Sequence, residues 1–155
     1  MTEIKLRPLL TLKPLADSRT VNHVGVVPAG YARRVVFVTG GSFEGERLNG
    51  SIVPGGGDFL LMRPDGAMHL DVRLVLETVQ GELIYLTYVG RRHASPEVMA
   101  KYVASEAVAP QDEYFRTIVQ FETGAPRLLW LNNILAVGTG HRIASGVIYE
   151  ISEIL

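Results

Sequence analysis

The sequence predicts an all-β protein: a closed antiparallel barrel, or a strongly bent sandwich, carrying one short α-helix. Three observations predict it. Short runs rich in Val, Ile, Tyr, Phe and Thr recur along the chain, and these residues pack well on a pleated surface. Gly, Pro and Asp punctuate the runs at even spacing, as turn residues do. Few runs carry the charges or prolines that blunt an exposed sheet edge, and closure removes edges altogether.

In chain order the expected strands are Ile4–Leu15 (interrupted by Pro8), Val21–Val27, Arg33–Thr39, Leu48–Val53, Phe59–Arg63, Ala67–Val79, Leu83–Val89, Tyr114–Glu122, Leu128–Val137 and Ala144–Ile151. Arg63-Pro64-Asp65-Gly66 is a turn, because Pro fixes φ and Gly accepts φ > 0. Gln80-Gly81 lies between two apolar runs and reads as a tight hairpin. Gly124-Ala125-Pro126 and Gly138-Thr139-Gly140 read as breaks in the later strands. One segment has a different period. Ser95-Pro96-Glu97 combines an N-cap, a proline at the first helical position and an acidic first turn. Val98, Met99, Tyr102, Val103 and Glu106 follow at helical spacing. This predicts a helix from Pro96 to about Ala107, placed to cover one barrel mouth.

The chain has 155 residues, read as one domain over 1–155. That length suffices to bury ~68–70% of the unfolded surface. No cysteine is present, which excludes a disulfide framework, a thiolate nucleophile and a Cys-type zinc site. Fifteen Lys+Arg balance 16 Asp+Glu, and the longest basic clusters are the pairs Arg33-Arg34 and Arg91-Arg92. No broad basic field exists to hold nucleic acid. The N-terminus lacks a signal-peptide pattern, and no apolar run nears the roughly 18 residues needed to span a bilayer. The expectation is a cytoplasmic protein with no nucleic-acid or membrane partner.

The segment richest in chemistry is His69–Glu77. His69, Asp71, Arg73 and Glu77 fall on one face of a strand, with Val75 between them, and Leu70, Val72, Leu74 and Leu76 fall on the other. The ionisable row either faces water or lines a cavity.

The stretch Gly41-Ser42-Phe43, Gly45, Gly50 and Pro54-Gly55-Gly56-Gly57-Asp58-Phe59 is followed in order by further landmarks. These are Asp65-Gly66, Asp71-x-Arg73-x-x-x-Glu77-Thr78, Tyr114-Phe115-Arg116, Phe121-Glu122-Thr123 and Trp130-Leu131-Asn132. Together they resemble the domain of unknown function 3237 family, also called uncharacterised protein family 0311, from about Val35 to Ile151. Phe59 stands where the family commonly has tryptophan, and Gln80 where it commonly has an acidic hairpin residue. The resemblance implies a small bacterial or fungal β-barrel, calycin-like or allene-oxide-cyclase-like by fold analogy, without a settled activity.

Several groups of residues suggest chemistry, each beside a plainer reading. Gly55-Gly56-Gly57-Asp58 is either an anion-binding loop or a tight corner with Asp58 capping it. It lacks the Lys-Ser/Thr of a P-loop. Asp71 or Glu77 would serve as a general base with Arg73 holding an anion, or else Asp71 and Arg73 are a surface pair. The resemblance, which carries these three residues together, weighs toward the lumen. His69, Asp71 and Glu77 with His93 or His141 do not make a convincing metal set without a paired His-x-His. Tyr114 and Arg116 share a strand face, as do Trp130 and Asn132; these are either a pocket wall or core packing with a satisfied amide. No G-x-S-x-G elbow supports a serine hydrolase.

These residues predict a small-molecule-binding barrel. One hypothesis is a cofactor-independent isomerase, cyclase or lyase acting on a small organic acid or aromatic compound. Its catalytic residues would be Asp71, Arg73 and Glu77. Asp58, Tyr88, Tyr114, Arg116, Trp130 and Asn132 would bind the ligand, with no metal and no cofactor. The alternative is a non-catalytic ligand carrier or oligomeric scaffold. Strands apolar on both faces predict a homo-oligomer, with a dimer as the expected state.

Overall fold

Strict alternation of apolar and polar side chains builds the wall of the molecule, because a strand whose side chains alternate needs one apolar space to face. The computed structural model describes residues 3–155. Its strands are β1 (Leu6–Ala16), β2 (Asn22–Val26), β3 (Ala32–Glu44), β4 (Gly50–Asp58), β5 (Leu61–Met62), β6 (Met68–Thr78), β7 (Leu83–Ala94), β8 (Glu113–Glu122), β9 (Ala136–Ile143) and β10 (Gly146–Ile154). The order β1-β10-β9-β8-β7-β6-β4-β3 returns to β1 through antiparallel β1–β3 pairing from Thr11↔Glu44 to Ala16↔Val38. Eight strands thus close a barrel; β2 extends from β3, and β5 bridges β3 and β6.

Inside the barrel lies one apolar cluster that includes Leu12, Phe43, Leu70, Val72, Leu74, Leu76, Leu86, Phe115, Val119 and Tyr149. Each fully buried side chain of this kind contributes about 1.5–3 kcal/mol. Glycines make room for the largest of them. A Cβ on Gly140 would lie 2.8 Å from the Phe115 ring, and one on Gly138 would collide with the Thr117 hydroxyl.

The two ends of the barrel differ. Helix α1 (Pro96–Val103) joins β7 to β8 at one end, capped by Ser95 Oγ, which accepts the Val98 amide hydrogen at 3.3 Å. It stops four residues short of the expected boundary, as Ala104 and Ser105 turn the chain away and Ser105 adopts φ of 59°. At the other end a 3-10 segment, Pro126–Asn133, joins β8 to β9. The expectation of a strand over Leu128–Val137 fails there. A short apolar run does not distinguish strand from helix by itself. Pro126 opens the segment, and the three-residue repeat puts Leu128 and Leu131 on the buried side. Beside it, Glu153 accepts bonds from Arg7 at 2.8 Å and Arg47 at 2.6 Å. Burial opposes ionisation of Glu153, but its two arginines outweigh that and hold the carboxyl below its usual range.

The Arg63–Gly66 turn and the Thr78–Gly81 hairpin form as expected, with Gly66 and Gly81 at positive φ. Gly138-Thr139-Gly140 does not break a strand; it lies inside β9, where its glycines face Thr117 and Phe115. No helix among the described residues is long and apolar enough to cross a membrane.

Candidate functional site

Register decides which side chains enter the barrel. Leu70, Val72, Leu74 and Leu76 of β6 are all buried, so the row His69, Asp71, Arg73 and Glu77 lies on the outer wall. Asp71 and Arg73 pair at 3.1 Å, with side chains 47% and 50% exposed. The lumen placement considered for this row does not hold, because the apolar row needs the interior more. Tyr114 and Arg116 also face outward on β8, where the Tyr114 ring stacks on His93 with centroids 5.0 Å apart.

Trp130 and Asn132 belong to the 3-10 segment rather than to a strand. Asn132 Oδ1 accepts the Thr123 amide hydrogen at 3.0 Å, and its Nδ2 donates to the carbonyls of Thr123 and Leu129. Its amide therefore fastens that segment. Trp130 carries the Arg47 guanidinium 4.3 Å from its ring centroid.

A half-open space lies at the α1 end. A chamber of about 380 Å³ is lined by residues that include Asp58, Tyr88, Arg92, Tyr102, Arg142 and Tyr149. Leu70, Val72, Val38 and Phe115 supply apolar wall. The size lies at the lower end of the range for small-molecule pockets.

A bulge brings Asp58 to this chamber. Four β4 steps, Val53 to Gly57, stand against two β6 steps, Val75 to Arg73. Gly56 lies so close to the Arg73 carbonyl that a Cβ there would collide with it. Past the bulge, Asp58 stands opposite Val72 on one side and Val36 on the other. Residues directly opposite on neighbouring strands share a face, and Val36 and Val72 both line the chamber. The glycine block is thus the corner that the plainer reading expected, but Asp58 does more than cap it. Its Oδ1 accepts the Asp71 amide hydrogen at 3.1 Å. Burial raises the Asp58 carboxyl to about 6, against the lowering effect of that bond.

Tyr88 and Tyr149 face each other across the chamber floor, with ring centroids 5.1 Å apart. Burial pushes both phenols well above their ordinary value, and the charge of Asp58 adds to the effect on each. Phe115 meets the Tyr149 ring edge-on at 5.4 Å.

Charge gathers at the mouth. Arg92 Nε donates to Glu113 Oε2 at 2.6 Å, with the two side chains only 3% and 1% exposed. The Tyr102 ring from α1 lies 4.0 Å from the Arg92 guanidinium and 5.0 Å from that of Arg142. Arg92 Nη2, Glu113 Oε1 and Arg142 Nε are buried without a hydrogen-bond partner.

Of the residues expected to bind a ligand, Asp58 and Tyr88 line the chamber; Arg92, Arg142, Tyr102 and Tyr149 line it too without having been singled out, and neither was Glu113 beside Arg92. A signal for Arg92 and Glu113 existed. Arg92 continues the inward series Ile84, Leu86, Tyr88 and Gly90, and Glu113 begins the series Phe115, Thr117, Val119 and Phe121. Both lie just beyond the strand ends expected from composition. Among the described residues, no group of three His, Asp or Glu side chains stands at metal-binding spacing.

A family model described as "Protein of unknown function (DUF3237)" matches residues 4–154. A UPF0311 protein of Rhodopseudomonas palustris is 35% identical over 135 residues, covering 87% of this chain and 88% of that relative. The crystal structure of a conserved protein from the same organism matches with a TM-score of 0.90 at 30% identity, covering 100% of this chain and 99% of that one. A β-barrel-like protein of Acinetobacter baumannii matches with a TM-score of 0.86 at 35% identity, covering 100% and 98%. An enzyme from Penicillium herquei shares the fold alone, with a TM-score of 0.74 at 20% identity over 100% and 97% of the two chains. The chain belongs to the DUF3237 family, whose relatives carry the name UPF0311 protein.

Proposed function

We propose that the chamber binds a small molecule and that the protein acts there as a cofactor-independent isomerase, cyclase or lyase on a small organic acid or aromatic compound. One observation carries this reading. A carboxyl raised to about 6 lines a largely apolar chamber beside two buried tyrosines. A group titrating near neutral pH takes and returns a proton most effectively. The catalytic role moves from the outer Asp71, Arg73 and Glu77 to Asp58. Its carboxylate would remove a proton from the substrate, and a Tyr88 or Tyr149 hydroxyl would donate to the oxygen that gains charge. The protonated Asp58 would then return the proton at a second atom. An isomerisation or ring closure balances on that proton alone; in a lyase step the proton goes instead to the group that leaves as its bond to the neighbouring carbon breaks. That a fold relative is an enzyme supports catalysis on this fold without naming a reaction.

The test is a thermal-shift panel of small carboxylates, phenols, lactones and acyl thioesters on wild type and Val36→Trp, which fills the chamber. A ligand at 100 times its Kd adds ~2.7 kcal/mol, or roughly 5–11 °C for a domain of this size. The shift should vanish in Val36→Trp. A shift that persists there would place binding elsewhere. With a substrate in hand, Asp58→Asn should keep binding and lose turnover by roughly 10²–10⁴-fold.

The dimer is a second proposal, supported by the outer wall. Exposed Leu6, Val89 and Ile118 border a surface groove of about 640 Å³ across β7, β8 and β9. Light scattering coupled to gel filtration tests it: Ile118→Glu should convert a dimer to monomer, and a wild-type monomer would refute it.

A further inference from the structure

Two guanidiniums approach one aromatic ring at the chamber mouth, and only one carboxylate accompanies them. Glu113 balances Arg92. Arg142 has no ion-pair partner among the described residues. Asp58 lines the same chamber but forms an ion pair with neither arginine. The mouth therefore holds one cation in excess. It also holds unspent donors. Arg92 Nη2, on a side chain 3% exposed, and Arg142 Nε are both buried without an acceptor. A buried charged donor without a partner is costly, so an acceptor arriving with a ligand would be favoured there. A guanidinium offers its donors in a planar fork that suits a carboxylate.

We propose that the chamber's substrate is a small monocarboxylate with an apolar or aromatic body, its carboxylate held by Arg142 and by Arg92 Nη2. The body then extends inward along Leu70, Val72 and Phe115 toward Asp58 and the tyrosine pair. Arg142 is the specificity residue, and Tyr102 of α1 holds the two guanidiniums in place from one side. This rests on the lumen reading above and narrows it from a small organic acid or aromatic compound to a monocarboxylate bound head-outward.

Matched acids and amides test the charge. Isothermal calorimetry would compare cinnamate, 3-phenylpropanoate and 2-naphthoate with cinnamamide, 3-phenylpropanamide and 2-naphthamide. The proteins are wild type, Arg142→Gln, Arg142→Lys and Val36→Trp, each checked by circular dichroism; Ser145→Trp at the mouth serves as a second blocking variant. At least one acid should bind wild type, and its amide should bind about 10- to 100-fold more weakly. Arg142→Gln should weaken the acid by a similar factor and leave the amide unchanged, and Arg142→Lys should restore part of the loss. Binding by no acid, equal binding of acid and amide, or an unchanged acid Kd in Arg142→Gln would each overturn the proposal. Amides and acids lost together in Val36→Trp, with Arg142→Gln silent, would remove the anion anchor and keep the lumen site. Acids lost in Arg142→Gln but retained in both blocking variants would keep the anchor and remove the lumen reading.

Discussion

Asp58 Oδ1 accepts the Asp71 amide hydrogen at 3.1 Å. Through that bond, the strand that wears a solvated ion pair on its outer face also steadies the carboxyl inside the chamber. The two aspartates thus have separate duties, although they lie close in sequence and space.

The stability of the protein should depend on Asp58 in a definite direction. Its folded carboxyl titrates at about 6, above the ordinary 3.8. A raised carboxyl binds its proton more tightly in the folded state. The favourable contribution is complete below the ordinary value and is lost as pH rises through about 6. Asp58→Asn escapes that loss and can accept the same Asp71 amide bond. The variant should therefore be more stable than wild type by about 2–3 kcal/mol at pH 8, and the gap should close near pH 4. Urea unfolding at a series of pH values measures this.

The Arg92–Glu113 pair should behave as a unit. Arg92→Met leaves a buried carboxylate alone and should cost about 3–5 kcal/mol. Arg92→Met combined with Glu113→Gln removes both charges and should recover much of that loss. A double variant as unstable as the single one would refute the pairing. Urea midpoints for wild type, both singles and the double complete the cycle.

Arg73→Ala should do little. The Asp71–Arg73 pair is about half exposed, and such pairs are worth ~0–1 kcal/mol. Melting temperature should move by no more than a few degrees, and the Kd of any chamber ligand should stay unchanged. A ligand lost on Arg73→Ala would return the site to the outer row.

Gly140→Ala should destabilise by about 1–3 kcal/mol. Its new Cβ would sit 2.8 Å from the Phe115 ring, whose own space is bounded by Tyr149. Gly56→Ala should cost more, because its Cβ would meet the Arg73 carbonyl, a backbone atom that cannot rotate aside. Thermal unfolding ranks the two.

The barrel was legible because period-two alternation in segments such as Leu70–Leu76 demands a single apolar interior, and the chain offers many such segments. The same alternation pointed the ionisable row outward, since small barrels fill with apolar side chains, but the shared family pattern of Asp71, Arg73 and Glu77 drew the reading to the lumen. The 3-10 segment was not, since Leu128-Leu129-Trp130-Leu131 is equally apolar in either conformation. The mouth of the chamber was hidden for another reason. Propensity ends β7 near Val89 and starts β8 at Tyr114, but ladder pairing carries them to Ala94 and back to Glu113. Arg92 and Glu113 enter the lumen on those extra residues, where tertiary pairing overrides local preference. Arg142 was concealed by two glycines that look like breakers and instead make room for Phe115 and Thr117.

Everything proposed for the chamber turns on Asp58 as its proton-transferring group. The most direct measurement is a carbon-13 NMR titration of the side-chain carboxyls, with the Asp58 signal assigned by comparison with Asp58→Asn. The expected midpoint is about 6 in the free protein, displaced when a chamber ligand binds. A midpoint near the ordinary 3.8, unmoved by any ligand that stabilises the protein, would contradict it.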